Sequence, residues 1–172
     1  MAKLPKLPRP SKKDDDVLAK AFEPDKGPAF SVRFVLALVL MIGGIAWVAY
    51  YYLGVRPTDG WFAATPVADQ DGSGPMFIQE LQDWNYLIGF GAVALGLIVA
   101  AHPSTPLGRG RGVVAGMLGC FVVGVLWICV YYVTQTSSPP MDIPIFNDLA
   151  QKNLFVGIGL MAVGFTFATK WE

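Results

Sequence analysis

Four long stretches without a charged residue constrain this chain more than any other feature. They run over residues 34–55, 84–101, 112–140 and 153–169. A helix of about 20 apolar residues crosses a bilayer core about 30 Å thick. None of the stretches has the polar stripe that an amphipathic helix of a soluble protein presents to water. With 53% hydrophobic and only 15% charged residues, the chain is predicted to be an all-α membrane protein with four transmembrane helices.

The four stretches also repeat a pattern. Asn85 and Asn153 match at an offset of 68 (153 − 85 = 68), with Leu, Gly and Ala positions matching around them. The first and third stretches match at an offset of 80, where Gly44, Trp47, Tyr51 and Tyr52 correspond to Gly124, Trp127, Tyr131 and Tyr132. The repetition predicts two copies of one helical hairpin, the first with the longer outer loop.

The repeat divides the chain into four segments. We expect a disordered cytoplasmic tail over 1–33, a first hairpin over 34–102, a cytoplasmic turn over 103–112 and a second hairpin over 113–172. The tail carries eight of the 13 Lys and Arg residues, the turn two and the C-terminal end one. The two outer segments contain only Arg56 and Lys152. Because Lys and Arg stay on the cytoplasmic side of the plasma membrane, both termini are predicted to be cytoplasmic.

The polar tail allows two interpretations. It has a net charge of +3 (eight Lys and Arg against five Asp and Glu) and five prolines, so it is too polar to build a core. It serves only to fix the orientation of the first helix, or it also docks on a partner or on anionic lipid. The sequence leaves both interpretations open.

Small residues recur every fourth position on two of the predicted helices, and such stripes let neighbouring helices approach closely. We expect helix packing at Gly112, Gly116, Cys120 and Gly124 on the third helix, and at Ala92, Gly96 and Ala100 on the second.

The outer ends of the spans carry residues typical of a membrane boundary. Aromatic rings favour the headgroup level, and the asparagines are expected to cap a helix or to link the two hairpins by hydrogen bonds. The predicted boundary residues are Trp47, Tyr51, Tyr52, Asn85, Trp127, Tyr131, Tyr132 and Asn153.

The sequence contains no pattern typical of catalysis. No Asp, Glu, Lys, Arg or His lies well inside a span, which disfavours a pathway for ions or charged substrates. We find no Ser-His-Asp set and no phosphate-binding glycine loop, and we interpret His102 as an interfacial residue. We therefore expect no enzyme, cofactor, metal or nucleic-acid partner. A small transporter or channel subunit and an accessory subunit of a membrane enzyme complex remain alternatives.

Several short motifs together resemble a known family. They are the basic tail, the aromatic end of the first span, Asp83-Trp84-Asn85-Tyr86, the run Met161-Ala162-Val163-Gly164-Phe165 and the ending Thr169-Lys170-Trp171. This combination is similar to the CrgA family of actinobacterial cell-division proteins. That family usually has two spans, so each hairpin here would correspond to one whole member. One departure is Leu154, which follows Asn153 where the family pattern has Tyr.

The resemblance implies a non-enzymatic part in septation. A protein of this kind would recruit or regulate the tubulin-like ring protein and the septal wall synthases. It would do so at the septum of the cell membrane, through its tail and its helices.

Overall fold

The computed structural model describes residues 30–61, 65–137, 141, 143 and 145–170, and the tail predicted over 1–33 lies mostly outside them. These residues form helices and connecting turns, with no strand among them. The helices are α1 (Val32–Gly54), α2 (Met76–Leu81), α3 (Trp84–Ala100), α4 (Arg111–Thr136), α5 (Phe146–Leu149) and α6 (Asn153–Ala168). Three short 3-10 turns lie at Val67–Asp69, Pro106–Gly108 and Ala150–Lys152.

The predicted all-α architecture with four apolar helices is confirmed. Val32–Gly54, Arg111–Thr136 and the continuous segment Phe146–Ala168 are long and apolar enough to cross a membrane. The remaining apolar helix, α3, has 17 residues. At 1.5 Å per residue it is about 25 Å long, at the lower limit for a span, and α2 precedes it as an outer extension.

The helices pair as two hairpins. In the first hairpin α1 packs along α3, and in the second α4 packs along α6. The hairpins contact each other mainly through α3 and α6. Residues 101–110 connect them, and the Thr105 hydroxyl organises this turn by donating to the carbonyl oxygen of His102 (2.9 Å) and accepting from the amide of Gly108 (3.1 Å).

Two pairs of glycines set the distance between the helices of each hairpin. A methyl group on Gly44 would lie 2.5 Å from the carbonyl oxygen of Gly89, and one on Gly89 would lie 2.8 Å from that of Gly44. In the second hairpin, a methyl group on Gly124 would lie 2.7 Å from the carbonyl oxygen of Gly157, and the reverse distance is 3.0 Å. These pairs are equivalent at the offsets of 80 and 68, so both hairpins cross at the same point.

The small residues predicted to pack between helices differ in what they contact. Gly116 contacts the ring of Phe167, and Gly96 contacts Met41 and the backbone of Ala37. Cys120 and Ala100 are buried, while Ala92 is half-buried. Gly112 was expected to contact another helix, but the space for its Cβ is filled by the backbone of Pro106 and Leu107 in the turn between the hairpins.

We expect Gly44→Ala and Gly124→Ala to destabilise the folded protein by about 1–3 kcal/mol, because each added methyl group meets a backbone carbonyl of the facing helix. Gly43 and Gly119 are matched controls, since an added Cβ at either has no other atom within 4 Å. Thermal unfolding in detergent should therefore leave Gly43→Ala and Gly119→Ala close to the wild type. Equal unfolding temperatures for all four variants would contradict the assigned crossing points.

Candidate functional site at the outer end

α3 and α6 begin with the same strained turn, at the end of each helix that the sequence predicts to be the outer one. Gln82 precedes α3 with a φ of +43°, and Ala150 precedes α6 with a φ of +44°. The two positions are equivalent (150 − 82 = 68). A non-glycine residue in this region costs of order 1–3 kcal/mol, so surrounding contacts must hold both turns in place.

A buried asparagine provides those contacts in each hairpin. The Asn85 side-chain amide donates to the carbonyl oxygens of Ile78 (2.7 Å) and Gln82 (2.8 Å). The Asn153 amide donates to those of Phe146 (2.7 Å) and Ala150 (2.8 Å). In both cases the acceptors lie seven and three residues earlier, and both side chains are fully buried.

These bonds differ from the role expected from the sequence. A helix cap accepts a hydrogen bond from a backbone N–H through its side-chain oxygen, whereas here the side-chain nitrogen donates to carbonyls. The acceptors belong to the same hairpin, so these amide bonds do not link the hairpins. Each asparagine instead ties the segment that leads into the membrane, α2 or α5, to the first turn of the span.

The tryptophans beside these asparagines have different partners. Trp127 Nε1 donates to Asn153 Oδ1 at 3.2 Å, and its ring stacks on Phe146 with a centroid distance of 4.5 Å. Trp47 and Asn85 are the equivalent residues of the first hairpin. Their Nε1 and Oδ1 atoms are both buried, and within the described ranges neither has a hydrogen-bond partner.

The predicted boundary tyrosines are not all at the lipid surface. Tyr51 is fully buried, because its ring packs edge-on against Tyr86 at 4.9 Å and its hydroxyl accepts from Trp61 Nε1 at 2.6 Å. Tyr52 is half-buried beneath the guanidinium of Arg56. In the second hairpin Tyr131 is half-buried and Tyr132 is exposed. Tyr51 therefore faces the protein interior and not lipid, and its place at the membrane boundary stays a prediction.

Two ion pairs connect the hairpins above these aromatic residues. Arg56 Nε lies 3.0 Å from Asp148 Oδ2, which also accepts from the Tyr86 hydroxyl at 2.5 Å. Lys152 Nζ lies 3.4 Å from Asp83 Oδ2 and 5.5 Å from the centre of the Trp84 ring. We refer to Arg56, Asp83, Trp84, Tyr86, Asp148 and Lys152 as the outer clasp.

A polar cavity of about 460 Å³ opens beside the outer clasp. Both hairpins line it, with Arg56, Thr58, Asp59, Gly60, Trp61, Asp83, Asn147 and Asp148. No group of three or more His, Cys, Asp or Glu among the described residues is placed to hold a metal ion. None of these lining residues belongs to a site predicted from the sequence. One feature of the sequence could have pointed to this site. The outer segments contain only two basic residues, Arg56 and Lys152, and each pairs with a carboxylate.

The fold disturbs the ionisation of Asp83, which precedes the apolar span of α3. Burial raises the pKa of its carboxyl above the ordinary value of 3.8, although Lys152 acts in the opposite direction. The folded state therefore binds this proton more tightly than the unfolded state does. The ionised carboxylate costs stability at neutral pH, and this cost disappears as the pH falls through the raised pKa towards 3.8.

The opposite end of the molecule is basic. Arg33 begins α1 and its Nη1 lies 2.8 Å from Nδ1 of His102, which follows α3. Arg109, Arg111 and Lys170 also lie at this end, and none of the described Asp and Glu residues does. His102, which is interpreted from the sequence as an interfacial residue, thus contacts an arginine at the basic end of the molecule.

Comparison with known proteins accounts for the repeated hairpin. The family model described as cell division protein CrgA matches residues 5–102 and 106–172. This chain belongs to the CrgA family. The two matched segments meet in the turn between α3 and α4, and each contains one hairpin. The resemblance seen in the sequence is therefore confirmed.

A curated CrgA relative agrees with this assignment. The cell division protein CrgA of Streptomyces avermitilis is 41% identical over 63 residues, which make up 36% of this chain and 68% of the relative. No solved structure matches the chain. Membership of a cell-division family and the apolar helices together place this CrgA-family protein in the membrane, with a role in division.

We expect Asn153→Ala and Asn85→Ala each to lower the free energy of unfolding by about 1–3 kcal/mol, because two buried carbonyls lose their donor beside a strained turn. Gln151→Ala changes an exposed amide in the same segment and serves as the control. Chemical or thermal unfolding in detergent measures the difference. If Asn153→Ala matches Gln151→Ala in stability, the turn is held by other contacts.

The pKa of Asp83 leads to a pH-dependent prediction. At pH 7 the Asp83→Asn variant should unfold at a higher temperature than the wild type, because the buried charge is gone. The difference should shrink as the pH is lowered towards the ordinary carboxyl pKa of 3.8, because Asp83 takes up its proton in the folded wild type before it does in the unfolded chain. Asp71→Asn, at an exposed carboxylate of the outer loop, is the control. A difference that stays constant between pH 7 and pH 4 would refute the assignment.

Proposed function

We propose that this CrgA-family protein is a non-enzymatic integral membrane scaffold or regulator of the division machinery. The observation that carries the proposal is the family match over both hairpins. Each hairpin is held together by backbone-close packing and by hydrogen bonds within it. Such a rigid unit is suited to presenting surfaces to other membrane proteins.

The proposed organisation is a cytoplasmic tail over 1–33, hairpins over 34–102 and 113–172, and a cytoplasmic turn over 103–112. Both termini are cytoplasmic in this proposal. The charge distribution supports it, because Arg33, Arg109, Arg111 and Lys170 share one end while the described carboxylates lie at the other.

We place the partners on both sides of this framework. The tubulin-like ring protein is cytoplasmic, so the tail and the basic inner end are the parts that reach it. Septal wall synthases are proposed to meet the helices or the outer loops. Anionic lipid is a further proposed contact of the tail, because Lys and Arg beside a membrane attract acidic headgroups.

The features of the spans favour a scaffold over a transporter. From Phe34 to Gly54 and throughout α3 and α6 the helices contain no Asp, Glu, Lys, Arg or His. Pathways for ions and charged substrates usually require such groups inside the membrane. The two hairpins also repeat in the same orientation in the proposed topology, whereas many transporters are built from inverted repeats.

The topology can be tested with single-cysteine chains in which Cys120 and Cys129 are replaced by alanine. A membrane-impermeant thiol reagent applied to intact cells should label Ser73→Cys, because the first outer loop faces outward. Ser104→Cys in the cytoplasmic turn and Ser11→Cys in the tail should react only after the cells are opened. Labelling of Ser104→Cys in intact cells would exclude the proposed topology.

The septal role is tested by deleting residues 2–26 while keeping Arg33 for orientation. We expect a correctly inserted protein that no longer concentrates at the septum, measured with a fluorescent fusion in dividing cells. A second chain changes Lys3, Lys6, Arg9, Lys12 and Lys13 to Gln.

The pair of tail variants separates two kinds of contact. If both lose septal localisation, the contact depends on charge, as expected for anionic lipid or an acidic protein surface. If the Gln variant localises normally, the contact depends on the shape of the tail. Normal localisation and division in both variants would contradict a role of the tail in recruitment.

A further inference from the structure

The contact between Trp84 and Lys152 indicates an approximate two-fold axis between the two hairpins. These residues are equivalent in the repeat (152 − 84 = 68), yet they contact each other, with the ammonium 5.5 Å from the ring centre. Equivalent residues meet in this way where a two-fold axis runs through an interface. The interface has the form of a symmetric dimer, although its two halves differ in sequence.

Gly91 and Gly159 are a second pair of equivalent residues that lie near each other, further along α3 and α6. They are also equivalent (159 − 91 = 68), and both line one apolar cavity of about 140 Å³ between α3 and α6. An added Cβ on either glycine would have no other atom within 4 Å. The axis therefore continues along the contact between these two helices.

The charged contacts around the axis are not symmetric. Asp148 is bound by Arg56 and by the hydroxyl of Tyr86. The second hairpin has Leu154 at the position equivalent to Tyr86 (86 + 68 = 154), and leucine cannot donate a hydrogen bond. If two second hairpins were paired, Lys152 would face Lys152, and Asp148 would face Leu154.

A pair of first hairpins would also lose contacts. Glu80 would stand in the place of Asp148, so Arg56 would still find a carboxylate. Asp83 would lose Lys152, and two Asp83 carboxylates would lie beside the axis without a cation between them. Only a first hairpin facing a second hairpin provides both ion pairs.

We propose that the outer clasp is a specificity device that makes the second hairpin pair with a first hairpin in preference to its own kind. The surface along α3 and α6 is therefore occupied within one chain. The partner that fits the second hairpin is a hairpin of the same family with an arginine, an aspartate and a hydroxyl at the positions of Arg56, Asp83 and Tyr86. Other proteins of the division machinery must bind different faces.

The energetics agree with a role in selection. Burial outweighs Lys152 in its effect on the pKa of Asp83, so this ion pair contributes little net stability. A pairing that places like charges face to face across the axis is costly, however, because like charges at an interface repel each other. Such a contact discriminates against wrong partners more strongly than it stabilises the right one.

Cross-linking in the full-length chain tests the proposal. Cys120 and Cys129 are replaced by alanine, and Gly91→Cys and Gly159→Cys are introduced together, away from the outer clasp. A short bifunctional maleimide should join the two cysteines within one chain. Chains with Gly159→Cys alone should give little covalent dimer, because this face is already occupied.

The clasp is then altered in the same background. Trp84→Lys places two lysines across the axis, and the intrachain product should fall by about tenfold or more, because facing like charges are strongly disfavoured. Adding Lys152→Trp exchanges the two residues across the axis and should restore the product. Restoration also shows that the loss came from the two facing lysines and not from a lysine at position 84 by itself. Met76→Lys adds an exposed lysine away from the axis and should have no effect.

Three results would overturn the proposal. One is intrachain cross-linking of the Trp84→Lys chain at the wild-type level. Another is covalent dimer from Gly159→Cys chains in the amount that the double-cysteine chain gives within itself. Failure of the Lys152→Trp exchange to restore cross-linking would likewise contradict pairing across an axis at this position.

Discussion

The close approach of backbones at two glycine pairs is the constraint on which the rest of the structure depends. Lipid tails are as apolar as leucine, so helices in a bilayer gain little from hydrophobic burial and associate largely through close packing and hydrogen bonds. The Gly44–Gly89 and Gly124–Gly157 crossings bring α1 onto α3 and α4 onto α6. Each crossing sets the separation at the outer end, where Tyr51 then meets Tyr86.

The hydrogen bonds at the outer end depend on this packing of the helices. The strained turns at Gln82 and Ala150 redirect the chain from a lead-in helix into a span. Asn85 and Asn153 hold these turns with the same pair of hydrogen bonds. Strain of a few kcal/mol persists only where neighbouring contacts over-determine the backbone. These buried donors lie where water is scarce, so their bonds are costly to lose.

Duplication within a cell-division family explains why equivalent residues of the two hairpins meet. It also explains why the ion pairs around them are not symmetric. Each hairpin falls within one of the two matched segments. In a pair of identical hairpins, a residue on the axis faces its own copy, so a charged residue there meets a like charge. Joining two copies in one chain removes this restriction, and Trp84 and Lys152 have become different and complementary. The charges of the two outer loops can differ for the same reason, because the two copies in one chain need not be identical.

The sequence by itself determined the helical class, the four apolar segments and the repeat, because the length of an uncharged run and a constant offset are local properties of a chain. The equivalence of Asn85 with Asn153 was likewise visible, although what these side chains bind was not.

Only the tertiary structure decided that Gly44 meets Gly89, that Gly112 packs on the turn and that Tyr51 is buried. It also decided that Arg56 pairs with Asp148, 92 positions away (148 − 56 = 92). Apolar helix faces resemble one another, so the choice of neighbour depends on how whole helices fit together.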